Sequence, residues 1–209
     1  MAKKARPKNR QVTISPHNSK MGSIPSASTP AGVSCPSGIL CYLDCYARKM
    51  AHNGPRAKGI AASYAKNWQI WLDDPEDYFQ QIAEAAWNAR FFRWHVSGDI
   101  PTADYLRGMT KVAQECPDTL FLAFTKAYSI VNDLADMIPE NLRIVFSRWP
   151  GMPCNNPHRF PEAHVDFHNG ACEAPETAYH CPGYCADCNR ACSGCWHLKR
   201  GAAVVIDKH

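Results

Sequence analysis

Three cysteines within eleven residues constrain this chain more than any other feature: Cys35, Cys41 and Cys45, in a C-x5-C-x3-C spacing. Thiolates this close along the chain can be aimed at one metal centre by a short turn. Soft sulfur ligands favour zinc, Cu(I) or an iron–sulfur cluster. Three are one short of the usual four-thiolate shell. The fourth position must be filled from elsewhere in the chain, by a small molecule, or not at all.

A second run, Cys181, Cys185, Cys188, Cys192 and Cys195, has x3, x2, x3, x2 spacing over fifteen residues. Such steps are hard to explain without a metal. Two uses stay open: a zinc knuckle that pins the C-terminus, or a second iron–sulfur cluster or a share in the first. Eleven cysteines in all is an odd number, and clustered spacing suits metal binding better than long-range disulfides. Cys116, Cys154 and Cys172 stand apart, and Cys116, in an amphipathic segment, reads as a small buried hydrophobe.

A chain of 209 residues with 45% hydrophobic side chains and six tryptophans can bury one sizeable core. No apolar run approaches the ~20 residues that span a bilayer. The N-terminus is basic with no apolar region behind it, which does not suit a secretory signal. A cytoplasmic protein is expected. The net charge of +4 is uneven: Lys3, Lys4, Arg6, Lys8, Arg10 and Lys20 stand in the first twenty residues without an acid. Residues 1–17 read as a basic flexible arm, able to touch nucleic acid weakly through residues 3–20 or to act only as a solubilising tail. Residues 18–209 read as one domain, with 150–200 a metal-stapled extension.

Between the cysteine runs the pattern alternates. Helical spacing is expected over 47–50, 57–72, 105–116 and 129–137, and in a segment opened by Asp73-Asp-Pro-Glu76. Strands are expected over 90–97, 119–124 and 141–146, which implies parallel βαβ units. The strand ends carry Gly98-Asp99, Thr125-Lys126 and Ser147-Arg148. Ligands of parallel α/β sheets bind at the carboxyl ends of strands, so these polar pairs form a second candidate constellation. Beyond Pro150 the pattern dissolves into loop, apart from a short strand over 163–168 that would align His164, Asp166 and His168 on one face as a weak metal-site candidate. There is no P-loop, no G-x-G-x-x-G, no H-E-x-x-H and no nucleophile beside a recognisable base.

Several of these stretches resemble the phage gene-product-88 family: Asn18-Ser-Lys20, Cys35-Pro36 with Cys41-x3-Cys45-Tyr-Ala47, Arg93-Trp-His-Val-Ser-Gly-Asp99, Phe121-x-Ala-Phe-Thr-Lys126, and a Cys-rich end closing in Cys195-Trp196. That family is similar in turn to radical SAM-type partial (β/α) barrels. The resemblance implies an α/β fold with a barrel-like parallel sheet between Cys-rich N- and C-terminal segments. It also implies a phage-encoded protein in the host cytoplasm, with an unknown substrate or a host or phage protein as partner. By that analogy a [4Fe–4S] cluster on Cys35, Cys41 and Cys45 leaves one iron to S-adenosylmethionine (SAM). Gly98 and Asp99 would hold its amine, and Ser147 or Arg148 its ribose or carboxylate, with Thr125 beside them. Asp99, Lys126 and Arg148 would line the reacting pocket. Against this stands a cluster closed by a tail cysteine, or zinc, in a non-catalytic binding module.

Overall fold

The computed structural model describes residues 6–168, 172–185 and 194–208. Its core is a sheet of eight strands: β1 (Ile14–Ser15), β2 (Ser26–Ala27), β3 (Phe91–Trp94), β4 (Leu120–Thr125), β5 (Leu142–Ser147), β6 (Glu162–Asp166), β7 (Tyr179–His180) and β8 (Ala203–Asp207). Their spatial order is β1-β2-β3-β4-β5-β6-β8-β7, and every neighbouring pair except β1–β2 is parallel. The expected parallel α/β sheet is therefore present, and it is an open sheet. Among the described residues five α-helices accompany it: α1 (Tyr46–His52), α2 (Ala57–Asp73), α3 (Pro75–Ala86), α4 (Ala103–Glu115) and α5 (Tyr128–Asp133).

The central strands are apolar at nearly every position, as in Leu120-Phe-Leu-Ala-Phe124, because both faces are covered. Side chains alternate between faces with period two. Phe92, Trp94, Phe121, Ala123, Leu142, Ile144 and Phe146 meet the helices. Phe91, Leu122 and Val145 face the other way, against Met21, Ile24, Trp196 and Leu198. The C-terminal segment thus serves as the second covering layer. Cys116 behaves as expected of a small hydrophobe: it is 2% exposed, with its thiol directed at the Ala83 carbonyl.

Local chemistry sets the helix starts. Asp74 accepts from the Asp77 N–H with Pro75 in the first turn, and Thr102 accepts from the Tyr105 N–H. Gly108 of α4 exists for close approach, since a β-carbon there would lie 2.0 Å from the Phe79 ring of α3. The stretch expected to be a flexible arm runs along α2 and α3 from Arg6 onward. Arg6 pairs with Asp77 and Glu84, and the Val12 and Thr13 N–H groups donate to Gln81 and Asn67. Beyond Pro150 the sheet continues through β6 and β8, whose register pairs Glu162 with Ala203 and Asp166 with Asp207.

At the end of β3, His95 takes a left-handed backbone (φ 55°) and turns its ring under the helices, 3.1 Å from the Tyr105 hydroxyl, itself 2.9 Å from that of Tyr78. Burial, aided by Arg93, lowers its pKa from 6.5 to about 3. A depressed imidazole pKa contributes stability above pH 6.5 that is lost as the pH falls towards 3, because only the unfolded chain takes the proton. Stability should fall by about 1.4 kcal/mol per pH unit below that point from this group alone. His95→Asn, which tolerates the left-handed backbone, should remove this component. Denaturant titrations of both proteins between the two pH values check it; parallel slopes would refute it. Separately, Gly108→Ala should cost about 1–3 kcal/mol through overpacking, whereas Gly59→Ala, with open space at its β-carbon, should cost nothing or stabilise.

Candidate metal centre

All parallel strands point their carboxyl ends to one edge of the sheet, and the first cysteine run follows β2 at that edge. The loop is latched down beneath Cys35. Thr29 N–H donates to the Ser97 carbonyl at 3.1 Å, and the hydroxyls of Thr29 and Ser34 lie 2.7 Å apart. Gly98 fits under this latch with φ +85°; a β-carbon there would fall 2.1 Å from Thr29 Oγ1 and 2.4 Å from Ser34 Oγ. Gly98 is thus a close-approach residue that seats the cysteine loop on the β3 end.

Cys35, Cys41 and Cys45 share one electrostatic neighbourhood with Asp99, each perturbing the Cys35 thiol. Burial pushes that thiol up to about 12, while the Gly32 N–H, 3.3 Å from its sulfur, pulls the other way. Cys41 is raised by burial too, and Lys126 opposes that shift through charge and a hydrogen bond. Desolvated thiols beside an ammonium are the setting in which a bound cation can take the place of the protons. Zinc holds each sulfur at about 2.3 Å, which puts tetrahedral sulfurs roughly 3.8 Å apart. The triad does not close to within 4.8 Å; among the described residues, the three ligating groups that do are Asp166, His168 and Asp207.

Asp99 is 6% exposed and fully engaged within the chain. Thr125 Oγ1 donates to Oδ1 at 2.5 Å, the Lys126 N–H to Oδ2 at 2.8 Å, and its own neighbour Ile100 N–H to Oδ1 at 2.7 Å. Burial raises the Asp99 pKa, against the pull of these donors and of Lys126. The carboxyl therefore ties the ends of β3 and β4 together and positions Lys126. The Lys126 ammonium donates to Ser147 Oγ at 2.8 Å and lies 5.7 Å from the centre of the Trp149 ring.

Strand alternation divides the second constellation. Lys126 and Ser147 share the face of the C-terminal segment. Arg148 departs on the helix side, where it meets Glu162 at 3.5 Å and hydrogen-bonds the Cys154 thiol. Glu162 also takes a bond from Asn156 and lies 3.4 Å from His164, whose pKa is lowered by burial. A recess of about 10 Å³ beside them, lined by Arg148, Trp149, His164 and Glu173, has room for about one water. His164 thus pairs with Glu162, whereas Asp166, His168 and Asp207 of β8 form a separate trio of which Asp166 is half-buried, with the two carboxylates 3.8 and 3.7 Å from the His168 ring.

The tail reaches the same edge at one point. The Asn18 side chain accepts from the Lys20 and Met21 N–H groups, closing a turn whose Lys20 carbonyl accepts from the Cys185 N–H at 2.7 Å. Cys185 and Cys45 both perturb the Tyr46 hydroxyl, which itself donates to the Val96 carbonyl at 2.7 Å. Cys181 is half-buried after β7, and Cys195 is buried against the sheet beside Trp196. Cys188 and Cys192 lie outside the described residues. Sequence reading did not single out Cys154 or Glu162, and no local spacing marks them, because the β5–β6 pairing brings them to Arg148.

Thr125→Val, which removes a buried carboxyl's donor, should lower stability by about 1–3 kcal/mol, and Thr125→Ser should recover most of it. Urea denaturation measures both; an unchanged midpoint in the valine variant would show that Asp99 does not depend on this bond.

No helix among the described residues is long and apolar enough to cross a membrane. No solved structure matches the chain. Gene 88 protein of Mycobacterium phage L5 is 29% identical over an alignment that covers 87% of this chain and 85% of the relative. The family model for Gene product 88 matches residues 2–162, a stretch that includes the first cysteine run, the three strand ends and Cys154 and stops short of the second cysteine run. With the larger part of its length matched, from the basic N-terminus to β6, the chain belongs to the gene product 88 family.

Proposed function

We propose that this phage-family protein is an iron–sulfur protein that carries a [4Fe–4S] cluster on Cys35, Cys41 and Cys45. The observation that carries the reading is the grouping of Cys35, Cys41 and Cys45 at the carboxyl edge of a parallel sheet, where burial raises the Cys35 and Cys41 thiols and Lys126 lies beside Cys41. The Gly32 N–H directed at the Cys35 sulfur and the Lys126 ammonium both favour negative charge on the sulfurs. A cluster of this kind supplies one-electron transfer, with its potential set by such hydrogen bonds and by exposure. Asp99 holds Lys126 in place through its backbone, and Ser147 takes a bond from the ammonium.

The consecutive parallel order from β2 to β6 supports the further reading of the sheet as the wall of a partial (β/α) barrel, with SAM taken at an open iron. In that reading Lys126 and Ser147 lie nearest the bound molecule, and Gly98, Asp99 and Thr125 act as its frame. A specific observation favours a second reading: Cys185 and Cys45 both flank Tyr46, so the tail can supply a fourth thiolate that closes the cluster and makes it an electron-transfer or scaffold centre. Zinc in the tail is compatible with either.

Anaerobic purification with iron, sulfide and zinc analysis tests the proposal. About four irons per chain are expected, with loss of most of the iron in Cys35→Ser, Cys41→Ser and Cys45→Ser. Zinc without iron in protein never exposed to air would overturn it. Cys185→Ser then separates the two readings. An unchanged cluster whose EPR spectrum shifts on adding SAM means an open iron, and loss of iron means a closed one.

A further inference from the structure

The surface around the first cysteine run carries an apolar patch for which the proposed cluster alone does not account. Val33, Leu40, Leu43 and Met50 are 61%, 55%, 79% and 49% exposed, and all belong to the cysteine loop or to α1 directly after it. Single exposed apolar residues are ordinary, but several grouped around one loop mark a contact surface. The charges in the same stretch are mainly positive. Arg48, Lys49, Arg56 and Lys58 face a single acid, Asp44, within residues 33–58. Asp44 is itself shared between Lys49 at 3.7 Å and Lys208 at 3.3 Å. Arg56 and Lys58 are exposed and carry no ion pair among the described residues.

We infer that this patch is the docking surface for a small acidic electron-carrier protein that reduces the cysteine-bound cluster, an inference that rests on the iron–sulfur reading. The chemistry of the surface selects this occupant. Aliphatic side chains at the centre with cations at the border match a protein partner of apolar centre and acidic rim. A single-stranded nucleic acid would need free aromatic faces for stacking; Tyr42 and Tyr46 of this stretch are 40% and 39% exposed, but the Arg48 guanidinium lies over the Tyr42 ring at 4.5 Å and the Tyr46 hydroxyl is tied to the Val96 carbonyl. Position argues the same way. Leu40 adjoins Cys41, and Leu43 stands two residues from both Cys41 and Cys45, so a partner seated on the patch contacts the loop that carries the sulfurs. In the reaction the carrier is oxidised by one electron and the cluster is reduced by one, with no atom or proton transferred.

The experiment uses the iron-loaded full chain and, as the probe, a reduced acidic [2Fe–2S] ferredoxin, with reduction followed by the loss of cluster absorbance and the appearance of an EPR signal. Leu43→Ser and the double variant Arg56→Glu, Lys58→Glu change the patch without touching a proposed ligand. Both should retain wild-type iron content and wild-type reduction by dithionite, yet be reduced by ferredoxin about tenfold more slowly. The wild-type rate should fall as salt is raised. Equal ferredoxin rates in loaded wild type and variants, insensitive to salt, would overturn the docking surface and leave the iron–sulfur reading standing. A chain that takes up no iron overturns both. If a single-stranded oligonucleotide binds the wild type, is lost from the same variants and blocks ferredoxin, the patch is a nucleic-acid surface and the inference fails.

Discussion

The buried carboxyl of Asp99 is the interaction on which the working edge of the sheet depends. It closes β3 onto β4 beyond the last ladder bonds by taking a hydroxyl from Thr125 and a backbone N–H from Lys126. A carboxyl this desolvated keeps its place only because donors surround it, since an unpaired buried charge is far more costly than the bonds that pair it. Its neighbour Gly98 accepts the cysteine loop from above, and the backbone of Lys126 is held from below. The sulfurs and the ammonium that faces Cys41 are therefore positioned by the same few atoms.

The covering layer opposite the helices follows from the apolar character of both sheet faces. A parallel sheet that is apolar on both sides must bury each of them against something. Here the Asn18 turn delivers Met21 and Ile24, and the C-terminal segment delivers Trp196 and Leu198. The cysteine-rich tail is thus joined to the core by ordinary apolar packing at Trp196, and Cys185 is carried up to the edge where Cys45 and Tyr46 lie. Cys195 is buried in the same layer beside Trp196.

Much of the fold is legible along the chain. Helices α2, α3 and α4 and strands β3, β4 and β5 announce themselves through periodicity, an Asp-Pro start and long apolar runs. The short strand expected over 163–168 is β6, whereas β2, β7 and β8 do not announce themselves, for different reasons. Ser26–Ala27 and Tyr179–His180 are two-residue strands with no pattern to read. The run Ala203–Asp207 is β-branched and apolar, and its Val204-Val205-Ile206 was a usable signal obscured by the loop-like stretch before it. The basic N-terminus reads as free because its partners, Asp77, Glu84, Gln81 and Asn67, lie more than fifty residues away in sequence.

The sequence by itself determined the thiol-rich chemistry, the parallel α/β class and the polar residues at the strand ends, because spacing and periodicity are local properties. Tertiary structure decided which of those residues meet. Alternation along β4 and β5 sends Lys126 and Ser147 to one side and Arg148 to the other, where β6 presents Glu162 and His164. It also surrounds Asp99 with three donors that come from a neighbouring strand end and its own next residue. Residue types are written in the chain, but the geometry of a site comes from strand register and long-range packing, which no local stretch encodes.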